Sequence, residues 1–440
     1  MIIDQGFPPH PSPLTPHEGD RSVALALDLG TTTLVGRLLA ADGTVLAEAR
    51  SPNPQRACGA DILTRLQCAQ EGHGKELQQL LAGGVNALVK ELLTTAKVPA
   101  GAITAAAAAG NPGICHLLCN LPVDRLLHPP HRSLLTELTS LPANALDLGL
   151  SVPLQLFPAV SGFVGGDLVA VLSRGLGAGD WGLATSLQPP ASSPCLVLDL
   201  GTNAELALWT GSQWRVTSAA AGPAFEAGNI ACGMPLAPGA VTDVQLRGDR
   251  LELAVAGGGR PAGLCGSGLL ALVAAARQGG LIDAGGRIVA PDEVGSNLAR
   301  YLVRDREGWA ISFHRDARGE LRLAQDDVRQ LQLAKGAVRA GVEVLLERSG
   351  LTAGDVASVL ITGAFGTALP VAAVRGIAML PEGMVDKSFF VPNGVLDGLA
   401  AFLTDPHGAE RLQALLATVK PLPLSGTPAF ERRFLAALEF

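Results

Sequence analysis

The tetrapeptide Asp-Leu-Gly-Thr occurs twice, as Asp28–Thr31 and as Asp199–Thr202. Each copy ends an apolar run, VALALDL in the first and CLVLDL in the second. A phosphate chain needs backbone N–H donors that come close, and glycine allows this because no Cβ stands in the way. A threonine hydroxyl adds a donor, and an aspartate at a strand end can hold magnesium, usually through water. Two such turns can grip one triphosphate from both sides, and hydrolysis then requires positioning and charge neutralisation. The expected ligands are therefore ATP and Mg2+. Asp28 and Asp199 are the candidate catalytic and metal-holding residues: Asp28 holds the metal, and Asp199 orients or deprotonates the attacking water. Gly30, Thr31, Thr32, Thr33, Gly201, Thr202 and Asn203 are the candidate phosphate ligands. A later turn, Gly363-Ala364-Phe365-Gly366, would let adenosine lie against backbone, and Lys335 could reach the ribose or a phosphate.

The elements that must position these residues are written in the same order twice. After the first copy, TLVGRLLAADG and TVLAEAR read as two strands joined at Asp42-Gly43. After the second, AELALWTG and QWRVTSAA bend at Thr210-Gly211. AITAAAAAGNPGICHLL then predicts strand, Gly110-Asn111 turn and helix, and VASVLITGAFGTALPVAAV predicts the same around Gly363–Gly366. FVGGDLVAVLSRG and VPNGVLDGLAAFL form a looser third pair of glycine-led helices. DVRQLQLAKGAVRAGVEVLLERSG is the clearest amphipathic helix, opening on acids and stopping at Gly350. The expected fold class is thus α/β: two halves of matching order, a duplicated domain with a cleft between the copies. Its expected parts are a flexible Pro-rich arm over 1–20, an N-terminal half over 21–185, and a C-terminal half over 186–440 with an insertion near 219–323.

Composition narrows the functional classes. A chain of 440 residues is long enough for two cores, and 48% apolar with 17% charged residues marks a folded protein. A net charge of −7 disfavours non-specific binding to nucleic acid or anionic membranes, and sparse aromatics disfavour stacking on single strands. No apolar run approaches the roughly 20 residues of a spanning helix, and the proline-rich start does not read as a signal peptide. Seven cysteines with no C-x-x-C point to a reducing compartment, hence the cytoplasm.

Several candidate residues also have plainer readings. Lys335 is open between a ligand and a solvated helix face. Glu205 and Glu226 are open between catalysis and a surface or capping role. Asp167 in VGGD either caps its helix or reaches magnesium, with capping favoured. Cys232 and Cys265 read as buried small apolar groups, and His116 beside Cys115 and Cys119 reads as core packing.

The twin turns and LITGAFG resemble the superfamily of acetate and sugar kinases, heat-shock chaperones and actin, and this resemblance implies a duplicated actin-like ATPase fold, two ribonuclease-H-like halves around a nucleotide cleft. Longer strings, including NPQRACGADILTRL, LDLGTNAEL, AAGPAFEAGNIACGMP, LCGSGLL and DDVRQLQLAKGAVRAGVEVLL, narrow this. From about Val23 to the end the chain is similar to the ATPase portion of reductive activators of corrinoid proteins. The resemblance implies that ATP binding and hydrolysis drive electron transfer to a corrinoid protein whose cobalt has been oxidised. Family members typically carry an iron–sulfur domain as well. No cysteine precedes Cys58, so no iron–sulfur cluster is expected in this chain, and a separate ferredoxin-like donor is. The implied partner is a corrinoid protein or corrinoid-dependent methyltransferase, with no nucleic acid and no membrane; a homodimer stays open. The chain departs from the family at GTNAE, GNPGICHL and PNGVLDGLA. The alternatives are a small-molecule kinase of the same superfamily, a non-catalytic nucleotide-sensing protein, and an activator of radical dehydratases.

Overall fold

The computed structural model describes residues 22–175, 193–306, 308–363, 365, 369–424 and 426–440; the expected arm, Ala364 and Gly366 lie outside them. The chain forms two compact units, Met1–Gln188 with Gly394–Pro421, and Pro189–Asn393 with Leu422–Phe440.

The first unit opens with β1 (Val23–Leu29), β2 (Thr33–Ala40) and β3 (Val45–Pro52), an antiparallel meander. Its hairpin turns at Asp42-Gly43, where Gly43 has φ +85° and the Thr44 N–H donates to Asp42 Oδ1 at 2.9 Å. Then come α1 (Ile62–Cys68), α2 (Gly74–Ala96), β4 (Ile103–Gly110), α3 (Pro112–Leu118) and α4 (Asp124–Leu127). β5 (Thr139–Leu141), β6 (Leu154–Leu156) and α5 (Gly166–Arg174) follow. The sheet order is β3-β2-β1-β4-β6-β5, with β1 and β4 parallel. Leucines of β1 and β2 and the buried stripe of α2 (Leu81, Val85, Leu88, Leu92) form the core. Gly36 permits that close packing, since a Cβ there would lie 2.8 Å from Leu92 Cδ1.

The second unit repeats the plan. β7 (Cys195–Leu200), β8 (Ala204–Trp209) and β9 (Trp214–Ala219) form its meander. Two small three-stranded sheets follow. One is β10 (Ala240–Arg247), β11 (Arg250–Val255) and β12 (Gly263–Leu264); the other is β13 (Leu302–Asp305), β14 (Gly308–Asp316) and β15 (Gly319–Leu323). Helix α6 (Gly266–Gln278) lies between them in sequence. The long α7 (Gln325–Ser349) ends at Gly350, whose φ of +65° is the left-handed stop that glycine favours. β16 (Ser358–Gly363), α8 (Val371–Gly376), α9 (Glu382–Val385) and β17 (Ser388–Phe390) follow, and in the main sheet β17, β16, β7, β8 and β9 lie side by side in that order. β16 is parallel to β7, as β4 is to β1. Strands β7, β8, β9 and β16 therefore occupy the places of β1, β2, β3 and β4, and the fold is a duplicated actin-like ATPase fold.

The repeat predicts that residues 186–440 stay together, but α10 (Gly394–Thr404) and α11 (Gly408–Thr418) belong to the first unit. α10 lies so close on α5 that a Cβ on Gly398 would sit 1.7 Å from the Ala170 carbonyl oxygen. Arg37 on β2 reaches Asp397 at 2.7 Å and holds Glu48 with its other nitrogens. The chain then returns to the second unit, where α12 (Pro428–Ala436) packs on α7.

Candidate nucleotide site

In the first unit the turn between β1 and β2 carries Gly30, Thr31, Thr32 and Thr33. A Cβ on Gly30 would lie 2.5 Å from the Thr33 carbonyl oxygen, so only glycine closes this turn. Asn53 fastens it: its side-chain amide donates to Gly30 O at 2.9 Å, and its backbone N–H to Thr32 O at 2.8 Å. The strand pairing sets Asp28 beside Ala109 and Leu29 beside Gly110. Asn111, the next residue after β4, donates its side-chain amide to Thr31 Oγ1 at 2.9 Å. It also caps α3 by accepting from the Ile114 N–H at 3.0 Å. The start of α5 abuts the same corner, since a Cβ on Gly165 would lie 2.5 Å from Gly110 O and 2.7 Å from Asp167 Oδ1. Loss of solvent lifts the Asp167 carboxyl to about 6, against the opposing pull of the Leu168 N–H. Asp28, Thr31, Asn111 and Asp167 are thus gathered around the ends of β1 and β4.

The second unit repeats this corner. Asp199 lies beside Thr362 and Leu200 beside Gly363 in the parallel pairing. Gly363 has φ +135°, and a Cβ there would lie 2.0 Å from Leu200 O; its counterpart Gly110 would meet Leu29 O at 2.7 Å. The turn after β7 is closed by the Gly201 N–H on Asn203 O at 3.0 Å. The Thr202 N–H and hydroxyl both point at Glu226 Oε1, at 2.9 and 3.2 Å. Glu205, opposite Asp199 on β8, is buried and accepts from the Ser218 hydroxyl at 3.2 Å.

The remaining candidates fall as follows. Phe365 is fully buried, its ring edge-on to Phe225 and Phe390 at 5.7 and 5.8 Å, so only its backbone is available to a ligand. Lys335 is 1% exposed; its ammonium donates to the Glu439 carbonyl and lies 4.9 Å from the Phe440 ring centre. Desolvation, with Arg339 and Arg277 adding repulsion, brings that ammonium down to about 7. His116 is buried and neutral in its hydrogen bonding: Nδ1 faces the Pro122 carbonyl, and Nε2 receives the Leu134 N–H. Cys232 is only half-buried, against the expectation of a buried group, yet desolvation still pushes its thiol up to about 12; Cys265 is buried and its thiol meets the Val241 carbonyl. Glu226, open in sequence between catalysis and a surface or capping role, here holds the Thr202 turn, while the residue type of Asn111 alone does not point to its contact with Thr31. The signal for Asn111 is its place directly after Gly110, the counterpart of Gly363 in the first unit.

The donors suit an anion and the acceptors suit a hard cation. Thr202 already holds a carboxylate oxygen with an N–H and a hydroxyl, which is how a phosphate oxygen would be held. Asp28, beside the threonine turn, offers the oxygen ligand that magnesium prefers while keeping most of its water. Among the described residues no group of three or more His, Cys, Asp or Glu side chains forms a metal site. Nor is any helix of the described residues long and apolar enough to cross a membrane.

Fold and corners together define the class as an actin-like ATPase-fold protein with one strand-end glycine turn per unit. Residues 193–440 match the family model of the C-terminal ASKHA domain of RACo, and residues 23–176 match the RACo middle region. The chain belongs to the RACo family. It is 27% identical over 430 residues to the corrinoid activation enzyme RamQ of Eubacterium limosum, covering 93% of this chain and 69% of that one. It is 27% identical over 254 residues to a [Co(II) methylated amine-specific corrinoid protein] reductase of Methanosarcina barkeri, covering 51% of this chain and 39% of that one. A solved reductive activator for corrinoid, iron–sulfur protein superposes with a TM-score of 0.85 at 26% identity, covering 96% of this chain and 66% of that chain. The chain thus spans 39–69% of the length of these relatives.

Proposed function

We infer that the protein binds ATP with magnesium and uses its hydrolysis to drive reduction of a corrinoid protein whose cobalt has been oxidised. The observation that carries this is the twinned strand-end corner. Asp28 with Gly110 and Asp199 with Gly363 stand in the same parallel register, each glycine pressed against the carbonyl before the phosphate-type turn. The relatives named as corrinoid activators supply the recipient.

In this reading Asp28 holds magnesium through water and Asp199 orients or deprotonates the attacking water. Gly30, Thr31, Thr32, Thr33, Gly201, Thr202 and Asn203 present donors to phosphate oxygens. The backbone from Gly363 to Gly366 lies under adenosine, and Lys335 takes part once the 437–440 segment leaves it. A change of nucleotide state does work on the partner only through different affinities in the two states. The electron comes from a separate ferredoxin-like donor, and the setting is the cytoplasm.

The test is ATP hydrolysis with and without a candidate corrinoid protein, with cobalt spectra recorded under a supplied reductant. Cobalt reduction should depend on ATP. Asp199→Ala should lower hydrolysis by at least about a hundredfold while nucleotide binding is partly retained. An unchanged rate in that variant, or cobalt reduction indifferent to ATP, would remove the assignment.

A further inference from the structure

Glu226 holds two of the donors that the nucleotide reading gives to phosphate, both on Thr202. Its Oε1 accepts from the Thr202 N–H at 2.9 Å and from the Thr202 hydroxyl at 3.2 Å, and a Cβ on Gly201 would lie 3.2 Å from the same oxygen. A carboxylate oxygen and a phosphate oxygen have the same sign and want the same donors. They cannot sit there together unless one is neutralised.

Glu226 is half-buried as a residue, and hydrogen bonds and packing of its neighbours hold its backbone. The short turn Pro223–Glu226 is hooked to the phosphate-type turn by the Gly222 N–H, which donates to Thr202 O at 2.9 Å. Phe225 is fully buried against Phe365, whose carbonyl accepts from the Ser267 N–H at 3.0 Å. Gly266 admits this packing, since a Cβ there would sit 1.8 Å from Phe225 O. One segment therefore anchors an apolar ring beneath the Gly363 turn and presents a carboxylate to the Gly201 turn. The carboxylate is on rotatable side-chain bonds, so it can leave Thr202 without moving the backbone anchor.

We propose that Glu226 is a built-in competitor of the nucleotide phosphate: its carboxylate fills the Gly201–Thr202 turn in the empty protein, yields it to phosphate, and by returning hastens product release. This rests on the nucleotide reading above. It differs from a structural role in sign, because removing the charge should tighten binding.

The experiment is calorimetric titration of the whole chain with MgATP and with MgADP, in wild type, Glu226→Gln and Thr202→Ala. Glutamine keeps the length and the acceptor oxygen but drops the charge. The difference between a charge-assisted and a neutral hydrogen bond corresponds to about tenfold, so Glu226→Gln should bind MgADP about tenfold more tightly. Thr202→Ala should bind both nucleotides more weakly. Equal or weaker binding by Glu226→Gln, with wild type binding normally, overturns the competitor role and leaves the nucleotide reading standing. Failure of folded wild type to bind either nucleotide overturns the nucleotide reading and this inference with it. A second measurement needs no nucleotide: exchange of the Thr202 amide hydrogen should speed up in Glu226→Ala, and an unchanged rate overturns the contact.

Discussion

The ammonium of Lys335 lies 4.9 Å from the centre of the Phe440 ring and donates to the carbonyl of Glu439, 104 residues further along the chain. Arg277 stands on the same ring at 5.6 Å and donates to Phe440 O at 3.3 Å. Gln332, one turn before Lys335, donates to Leu438 O at 2.7 Å, and the Phe440 N–H returns to Ala284 O at 3.0 Å. Gly336 makes room for this segment, with Leu438 and Ala437 at 3.2 and 3.3 Å from where its Cβ would be. Residues 437–440 are thus laid over a helix face that carries a desolvated amine.

That amine has a measurable consequence for stability. Its value in the folded protein, about 7, lies below the 10.5 of an unhindered lysine. Below pH 7 both folded and unfolded chains carry the proton, and the full penalty of burying the charge applies. Between pH 7 and 10.5 the unfolded chain holds the proton and the folded chain does not, so stability rises with pH. Relative to Lys335→Met, the wild type should gain about 2 kcal/mol between pH 7 and pH 9. Urea unfolding of both proteins at the two pH values checks this. A difference that stays constant with pH would mean that the amine is solvated and not covered by residues 437–440.

The repeated strand–turn–strand pattern was legible because its causes are local. Apolar runs, Asp-Leu-Gly-Thr and Asp42-Gly43 each fix their geometry within a few residues, and Gly350 ends α7 for the same kind of reason. Three features depend instead on residues far apart in sequence. Lys335 looks like a helix-surface lysine until residues 437–440 fold over it. Glu226 is 24 residues from Thr202, and nothing in its own neighbourhood says that its carboxylate points back to that turn. The membership of α10 is set by Arg37, 360 residues away from Asp397, and by an approach to α5 that only glycine allows. The late glycine turn was visible as a motif, but the fully buried ring of Phe365 was decided by packing against Phe225 and Phe390.

Asn111 performs two jobs that substitution can separate. As the cap of α3 it accepts from Ile114, and as a donor it holds the Thr31 hydroxyl. Asn111→Ala removes both and should lower stability by about 1 kcal/mol from the cap alone. Asn111→Asp keeps the cap, so its stability should stay near wild type. It also places a negative charge beside the threonine turn, so nucleotide binding should weaken more than in the alanine variant. Thermal unfolding and nucleotide titration of the two variants decide it. Stronger nucleotide binding by the aspartate variant would show that no phosphate comes to this corner.

Gly363 and Gly110 hold equivalent places, but the structure ranks them. A Cβ on Gly363 meets a backbone oxygen at 2.0 Å in a region of positive φ, whereas one on Gly110 meets its oxygen at 2.7 Å. Gly363→Ala combines a left-handed backbone with a backbone clash and should destabilise by about 3–5 kcal/mol. Gly110→Ala carries the milder clash and should lose about 1–3 kcal/mol. Denaturant midpoints give the comparison, and an alanine tolerated at 363 would mean that β16 and β7 can separate at their ends.

The ion pair on β2 tests what keeps α10 with the first unit. Arg37 is nearly buried and bridges Glu48 at 2.9 Å and Asp397 at 2.7 Å, while Arg174 of α5 reaches the other oxygen of Asp397 at 3.4 Å. Two cations therefore converge on one carboxylate. Asp397→Asn keeps the shape and one acceptor but leaves both guanidinium groups with less countercharge. Removing one member of a partly buried network should cost about 2 kcal/mol, between the small value of surface pairs and the large one of fully buried pairs. The loss should be local. Amide hydrogens of α10 should exchange faster while those of β7 and β16, in the other unit, are unchanged. If Asp397→Asn leaves α10 protected, the Gly398 contact with Ala170 is sufficient to seat the helix. Gly398→Ala, which would force a Cβ to within 1.7 Å of that carbonyl, then becomes the variant that should release it.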